Sequence, residues 1–254
     1  MASKQEEKER LRAAREAAEQ QDRTKERKQL ILGYAVAGAI ALAVVVGIVI
    51  AITSGGSGGG GETVPETTHA NRVNEAYGGI VPKGITVDDR DAAEAPTDGN
   101  SADLQAAASA ANCELILEQK EEGSTHLAPN AAVPDYEANP PTSGDHSLEP
   151  LADGAFRETP SPLNYVHALE HGRVEIQYLS DLPEEQQQEL LGLFDQAPAG
   201  MILFPNDDQP YTVAATAWTQ TMGCDKFEGA TTLDAIRAFR SAYLARGPEA
   251  IGMG

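Results

Sequence analysis

The feature that most constrains the fold is an uncharged stretch of 23 residues, LILGYAVAGAIALAVVVGIVIAI, at residues 30–52. At a rise of about 1.5 Å per residue, a helix of this length would cross a hydrocarbon core of about 30 Å. It is also longer than the apolar part of a cleaved secretory signal, which spans about 7–15 residues. The sequence therefore predicts one uncleaved transmembrane helix, with the membrane as a partner, rather than a buried helix of a soluble protein.

The distribution of charge predicts the orientation of that helix. Residues 1–29 carry nine basic and seven acidic residues, a net charge of +2, so the rest of the chain carries ten basic and 32 acidic residues, a net charge of -22. Lys25, Arg27 and Lys28 precede the apolar stretch, and no basic residue follows it until Arg72. The positive-inside rule then places the N-terminus in the cytoplasm and the C-terminal part outside the cell membrane. A formal charge of -20 argues against nucleic acid as a partner, and the sequence identifies no protein partner.

Composition divides the chain into four parts. The first is rich in Ala, Glu and Arg and is typical of a solvated helix, and the third begins with SGGSGGGG and has few large apolar residues, as a tether does. The predicted parts are a charged cytoplasmic helix at 1–29, the transmembrane helix at 30–52, a Gly-rich tether and loosely ordered linker at 53–101, and an extracytoplasmic domain at 102–254.

Within the extracytoplasmic domain, strand and helix patterns alternate. Four segments have the alternation or the β-branched content of strands, and three have helical propensity or periodicity. The predicted strands are Glu114–Gln119, Arg173–Leu179, Met201–Pro205 and Tyr211–Trp218, and the predicted helices are Ala102–Asn112, Pro183–Gln196 and Thr231–Gly247. The last helix begins with a T-x-x-D capping box. The predicted fold class is α+β, a mainly antiparallel sheet with packed helices, preceded by one transmembrane helix.

The chain has two cysteines, Cys113 and Cys224, and both fall in the predicted extracytoplasmic domain. An even number of cysteines in an oxidising compartment favours a disulfide between them. Two free thiols or two thiolate metal ligands are the alternatives.

The segment HALEHG contains the candidate site residues His167 and His171. Residues four apart lie on one face of a helical turn, so their imidazoles can share one metal ion. Two further histidines, His126 and His146, follow the loops EEGST and NPPTSGD. The sequence therefore predicts a metal site made of His126, His146, His167 and His171, and imidazole-rich sites suit zinc or copper.

Oxygen-bearing side chains near these histidines are candidates for supporting contacts. Thr142, Ser143 and Asp145 lie in the loop before His146, and Glu170 lies between the two histidines of HALEHG. A carboxylate from Glu170 or Asp145 could also complete the ligand set. Alternatively, the histidines and Glu170 only brace the junction with the next strand through hydrogen bonds.

HALEHG also matches H-x-x-E-H, the zinc motif of the inverted zincin peptidases, in which a glutamate is the general base. Gly172 is a typical residue just beyond a helix end, so the helix that carries the motif is expected to stop there. Only 83 residues follow His171. These features disfavour a peptidase and leave Glu170 as a remote catalytic candidate.

Several spaced segments resemble one protein family. NPPTSGDH, VHALEHGRVEIQY, Pro205–Asn206 and VAATAWTQTMGC, followed by a final helix, are similar to the domain of unknown function 3105, over about Asn112 to Pro248. A membrane span before such a domain, often in high-GC Gram-positive bacteria, is also similar to the family pattern. The resemblance implies an extracytoplasmic domain of the bacterial cell envelope whose histidine motifs belong together, and it implies no activity, substrate or cofactor.

Three functions remain compatible with the sequence. The first is an outward-facing domain that binds a transition metal or a small polar ligand through the four histidines. The second is a non-catalytic structural or interaction domain of the cell envelope, in which the histidines brace loops. The third, which is remote, is a small metal-dependent hydrolase with Glu170 as general base.

Overall fold

The computed structural model describes residues 72–75, 77–128 and 131–252. In these residues the chain forms nine strands and four helices. The strands are β1 (Val73–Asn74), β2 (Cys113–Ile116), β3 (His126–Leu127), β4 (His146–Ser147), β5 (Asp153–Ala155), β6 (Val174–Tyr178), β7 (Met201–Pro205), β8 (Val213–Ala217) and β9 (Gln220–Cys224). The helices are α1 (Leu104–Ala110), α2 (Pro162–Glu170), α3 (Glu184–Gln196) and α4 (Ala230–Tyr243).

Seven of the strands form one mixed sheet in the order β1-β5-β7-β6-β8-β9-β2. The strands β5, β7 and β6 run parallel to one another, whereas the remaining neighbours pair antiparallel. Helices α2 and α3 make the connections that parallel strands require, from β5 to β6 and from β6 to β7. Strands β3 and β4 form a separate two-stranded parallel ladder.

Both faces of the sheet are covered. Along β6, Val174, Ile176 and Tyr178 belong to the larger core cluster, which also contains buried residues of α1, α3 and α4. The opposite face packs against α2, whose Tyr165 and Leu169 lie in the second core cluster. Because strands covered on both faces have no solvent side, β6, β7 and β8 are buried at every position.

Most of the long periodic segments were predicted well, but the last helix ends at Tyr243 and not at the predicted Gly247. The bounds of β7 agree with the prediction, and the predicted positions of β6, β8 and α3 differ by a residue or two at their ends. Strand β9 was not predicted, because QTMGC contains a glycine and lacks clear alternation. Its place in the sheet is set by the two-residue turn Trp218–Thr219, which joins it to β8.

The predicted capping box of the last helix is not formed. Helix α4 begins at Ala230 after Gly229, and no side chain caps it. Asp234 instead accepts hydrogen bonds from the backbone N–H groups of Asp98 and Asn100 and from the hydroxyl of Thr97. A long-range loop contact has therefore replaced the local cap.

The predicted transmembrane component of the fold class is contradicted. None of the four helices in the described residues is long and apolar enough to cross a membrane. The longest of them, α4, has 14 residues, fewer than the roughly 20 apolar residues that a spanning helix needs. The stretch 30–52, on which that prediction was based, lies outside the described residues, as do the predicted helix at 1–29 and the Gly-rich part of the tether. The corrected fold class is a mixed sheet with four packed helices.

The predicted disulfide is confirmed. Cys113 of β2 and Cys224 of β9 lie opposite each other in the ladder and are bonded to each other. The bond closes a loop of 111 residues and fastens the edge strand β2 to the sheet.

Candidate metal centre

The HALEHG segment lies at the C-terminal end of α2, the helix that packs in the second core cluster. Ser161 caps its start by accepting a hydrogen bond from the backbone N–H of Leu163, and Pro162 opens the first turn. At its end, the N–H of Arg173 bonds to the carbonyl of Ala168, and the N–H of Gly172 bonds to the carbonyl of Leu169. This pair of bonds is a Schellman motif, and Gly172 adopts the left-handed conformation that the motif requires, with φ 82°. The helix therefore stops at the predicted position.

A short ladder brings the other two histidines together. His126 of β3 is the direct partner of His146 of β4, and their rings lie edge to face at a centroid distance of 4.9 Å. His146 is fully buried, whereas His126 is exposed to solvent at about a third of its side chain, 35%. The centre is thus closed on the protein side and open on the side of His126.

The loops before these histidines are fastened to each other. The N–H of Gly144 bonds to the carbonyl of Gly123, and the N–H of His146 bonds to the carbonyl of Thr125. The carboxylate of Asp145 accepts a hydrogen bond from the N–H of Thr125 at 3.0 Å. The two loops therefore form one unit, and neither histidine depends on a free loop for its position.

Four side chains converge at the centre. His126, His146, His167 and Glu170 each offer one ligand atom, and these atoms all lie within 4.8 Å of one another. Three of the six separations are 3.0 Å between His146 Nε2 and Glu170 Oε2, 3.3 Å between His126 Nε2 and His167 Nε2, and 3.6 Å between His126 Nε2 and Glu170 Oε2.

These three separations are close to those between the ligand atoms of a tetrahedral metal site. A zinc ion with bonds of about 2.0–2.1 Å to nitrogen and oxygen holds its four ligand atoms about 3.3 Å apart. The three short separations scatter around that value, so binding would require mainly the contraction of the longer ones. Histidine nitrogen and carboxylate oxygen are also the ligand types that zinc accepts.

The ring of His146 has a defined tautomer. Its Nδ1 lies 2.8 Å from the carbonyl oxygen of Gly144, and because a carbonyl only accepts, Nδ1 carries the hydrogen. In the neutral form of the ring, Nε2 therefore carries the lone pair, and it lies 3.0 Å from Glu170 Oε2. Metal-bound histidines are held in this way, with the second ring nitrogen donating to a carbonyl or carboxylate.

Burial shifts the pKa values of the centre toward neutral groups. Burial first, and then the neighbouring imidazoles of His171, His146 and His126, lower the pKa of His167 to about 3. Burial also raises the pKa of Glu170, against the opposing effect of His146. The pKa of His171 is lowered by burial and by the positive charge of Arg173. His167 is therefore neutral at physiological pH, as a metal ligand must be.

His171 is placed differently from the other three histidines. Its Nε2 lies 3.1 Å from His167 Nε2, but it is not a member of the group of four ligand atoms. The fourth ligand atom of the group comes instead from Glu170, which the sequence placed among the supporting residues. The roles of these residues as metal ligands stay predictions.

The predicted supporting residues lie in the loop before His146. Asp145 joins the two loops, and the hydroxyl of Ser143 accepts a hydrogen bond from the N–H of Glu122 at 3.0 Å. Thr142 acts through its backbone, since its carbonyl accepts from the N–H of Thr219 at 3.0 Å. None of these three residues belongs to the group of four.

The C-terminal segment also positions the centre, and sequence reasoning did not identify it. The N–H groups of Ala245, Glu249 and Ile251 bond to the carbonyls of Gly172, Glu170 and His171, at 2.8, 3.0 and 3.3 Å. Gly247 lies so close that an added Cβ would stand 2.1 Å from the carbonyl oxygen of Glu170. We call residues 245–251 the clamp. A glycine four residues beyond a helix was the only signal of it in the sequence.

Comparison with known proteins identifies one family. The model of the family described as "Protein of unknown function (DUF3105)" matches residues 126–252. The chain belongs to this family. The matched region begins at His126 and includes His146, α2 and the clamp, so the DUF3105 part contains the whole candidate centre. No curated protein and no solved structure matches the chain.

Proposed function

We propose that this DUF3105 domain binds one transition-metal ion at His126, His146, His167 and Glu170, and that zinc is the ion it prefers. Imidazole nitrogen suits zinc, copper and nickel, but a tetrahedral set of four side chains with one carboxylate favours zinc. Copper is the second candidate because the set contains three imidazoles.

One observation carries the proposal. His146 Nε2 and Glu170 Oε2 are both buried and face each other at 3.0 Å, and neither atom has another hydrogen-bond partner among the described residues. In the forms that bind a metal, a neutral imidazole and an ionised carboxylate, both atoms are acceptors that repel each other, and an unsatisfied polar atom costs about 1–3 kcal/mol. A cation between them would remove that cost.

The site is better suited to holding a metal than to catalysis with it. Catalytic zinc sites keep three protein ligands and one position for water, whereas sites that only hold zinc use four protein ligands. Glu170 belongs to the set of four and is almost fully buried, so its carboxylate is not free to act as a general base. Metal binding without hydrolysis therefore accounts for Glu170 better than the hydrolase alternative does.

We also infer that the domain works in an oxidising compartment. The disulfide between Cys113 and Cys224 is the reason, because such bonds persist outside the cytosol. In such a compartment, imidazole and carboxylate ligands keep their metal, since they are not oxidised as thiolate ligands are.

Elemental analysis of the full-length protein, purified without a histidine tag and then loaded with zinc and dialysed, tests the proposal. The wild type is expected to hold one zinc ion per chain. His146→Ala and Glu170→Gln are each expected to lose the metal, because the first removes a ligand side chain and the second replaces the anionic carboxylate with a neutral, weaker amide ligand.

Two histidine variants are matched controls. His69→Ala removes the same side chain from outside the described residues, and His171→Ala removes the member of HALEHG that lies outside the group of four. Both are expected to keep the metal at wild-type stoichiometry. Metal retained equally by wild type, His146→Ala and Glu170→Gln would contradict the proposal, and no metal in any sample would favour the alternative in which the histidines only brace loops.

A further inference from the structure

A cavity of about 560 Å³ lies where the end of α4 meets the turn between β8 and β9. Its volume is within the range of about 300–1,000 Å³ that small-molecule sites occupy. Its walls contain three charged and two aromatic side chains, which are Glu118, Glu121, Arg246, Trp218 and Tyr243.

Strained backbone is concentrated around this cavity. Four non-glycine residues in the described part of the chain have a positive φ, and three of them are here. Glu118 (φ 53°) and Thr219 (φ 59°) line the cavity, and Ala245 (φ 60°) directly precedes Arg246. A β-branched residue such as Thr219 is disfavoured in this conformation. Such strain persists only where the surroundings impose it, and it gathers at ligand sites.

Hydrogen bonds hold the strained residues in place. The N–H of Gln119 bonds to the carbonyl of Thr219 at 2.9 Å, and the N–H of Glu118 bonds to the side chain of Gln220 at 3.0 Å. The N–H of Thr219 bonds to the carbonyl of Thr142. The segment that carries Glu118 and Glu121 is therefore fixed against the β8–β9 turn.

The charged side chains of the cavity are exposed to solvent and lack partners in the described part of the chain. Among the described residues, Glu118, Glu121 and Arg246 form no ion pair and no side-chain hydrogen bond. Tyr243 lies near charges of both signs. Burial and Glu118 raise the pKa of its hydroxyl, and Arg246 opposes that shift. Opposite charges thus lie around one hydroxyl, with two acids on the segment after β2 and one base after α4.

We propose that this cavity binds a small zwitterion, a free amino acid or a short peptide, with its ammonium group at Glu118 and Glu121 and its carboxylate at Arg246. Charged hydrogen bonds of this kind orient a ligand, and the rings of Trp218 and Tyr243 offer apolar surface to its side chain. The inference goes beyond metal binding and does not require a metal.

The cavity nevertheless adjoins the metal centre. The indole of Trp218 lies edge-on to the ring of His146 at a centroid distance of 6.2 Å. Pro248 lines the cavity, and the N–H of the next residue, Glu249, bonds to the carbonyl of Glu170. Trp218 on one side and the clamp on the other would therefore lie between a bound zwitterion and the metal centre.

Calorimetric titration of the full-length protein with three probes tests the inference. The probes are L-alanyl-L-leucine, its N-acetyl derivative, which lacks the ammonium group, and its C-terminal amide, which lacks the carboxylate. L-alanyl-L-leucine is expected to bind with a dissociation constant of about 1 mM or lower. Arg246→Met is expected to weaken that binding about tenfold, since one charged hydrogen bond is lost, and to leave the affinity for the amide unchanged.

The acidic wall gives the converse expectation. The double variant Glu118→Gln/Glu121→Gln is expected to weaken the dipeptide about tenfold and to leave the affinity for the N-acetyl derivative unchanged. Lys226→Met and Glu184→Gln, which remove exposed charges outside the cavity, are the matched controls and are expected to bind like the wild type.

Two results would overturn the inference: no saturable binding of the dipeptide, or variants that weaken all three probes equally. Each titration is repeated after removal of metal with a chelator. Dipeptide binding by the chelated protein would support the cavity even if the metal proposal fails. If the protein binds zinc but not the dipeptide, the proposal for the cavity is refuted and the proposal for the metal centre is not.

Discussion

The substitution Gly247→Ala should disturb the metal centre from outside the group of four ligand atoms. The new Cβ would stand 2.1 Å from the carbonyl oxygen of Glu170 and 2.5 Å from the backbone nitrogen of Gly172. Both are backbone atoms, so no rotamer change can relieve the contact. Either the clamp moves away from α2, or the end of α2 moves.

The magnitude follows from the hydrogen bonds beyond Gly247. Displacing the clamp breaks the bonds from the N–H groups of Glu249 and Ile251, and also the bond from Arg173 to the carbonyl of Ile251 at 3.1 Å. At about 1 kcal/mol for each bond, the free energy of unfolding should fall by about 2–3 kcal/mol. Metal affinity should fall about tenfold or more, as it does when the contacts behind a ligand are lost.

Urea unfolding of the full-length protein measures the first effect, and a zinc titration against a chromophoric chelator measures the second. Gly252→Ala is the matched control, because a Cβ at Gly252 would meet nothing within 4 Å. If the two variants unfold within about 0.5 kcal/mol of each other, the spread expected for neutral surface changes, then the clamp does not stabilise the centre.

Three further predictions concern the rest of the domain. Burial raises the pKa of Asp234, but hydrogen bonds from the 97–100 loop and from Arg237 hold that pKa below its ordinary value. The contribution of Asp234 to the free energy of unfolding is therefore present above about pH 4 and is lost as the pH falls. Acid should destabilise the wild type more than Asp234→Asn in urea unfolding. Thr219→Gly should unfold at a higher urea concentration than the wild type, because glycine tolerates φ 59° without strain, and Thr219→Ala should not. Cys113→Ser/Cys224→Ser should lower the free energy of unfolding by about 4–5 kcal/mol in the chain-entropy model, which a loop of 111 residues implies, and an unchanged urea midpoint would contradict it.

The parts of the fold that were predicted are those with a repeating pattern. RVEIQYL alternates over its whole length, and PEEQQQELLGLFDQ has a continuous helical face, so β6 and α3 were found within a residue or two. The strands β1, β3, β4 and β5 have two or three residues each, too few for any period to be recognised. Their existence depends on the partner they meet in the folded chain.

The same limit applies to the candidate centre. The sequence showed that His167 and His171 share a helical face, but Glu170 shares it as well, because residues three and four apart both lie on one side of a helix. The position of His146 decides which of these three side chains lie beside it. That position is set by the ladder between β3 and β4 and by the hydrogen bonds between the two loops before it. These pairings join residues 20 apart, and nothing in either loop alone indicates the other as its partner.

Electrostatics favours Glu170 over His171 as the fourth ligand of a cation. A divalent ion bound by four neutral imidazoles would keep both positive charges in a buried site, whereas a set with one carboxylate leaves only one. Arg173 is fully buried, donates to the carbonyl of His171 and, after burial itself, is the next cause that lowers the pKa of the His171 imidazole, against an opposing effect of Glu249. Asp153 pairs with Arg173 but does not remove this effect. The buried charge of Arg173 therefore disfavours a metal ion beside His171, whereas an ionised Glu170 attracts one, and this is the physical reason for expecting His171→Ala to keep its zinc.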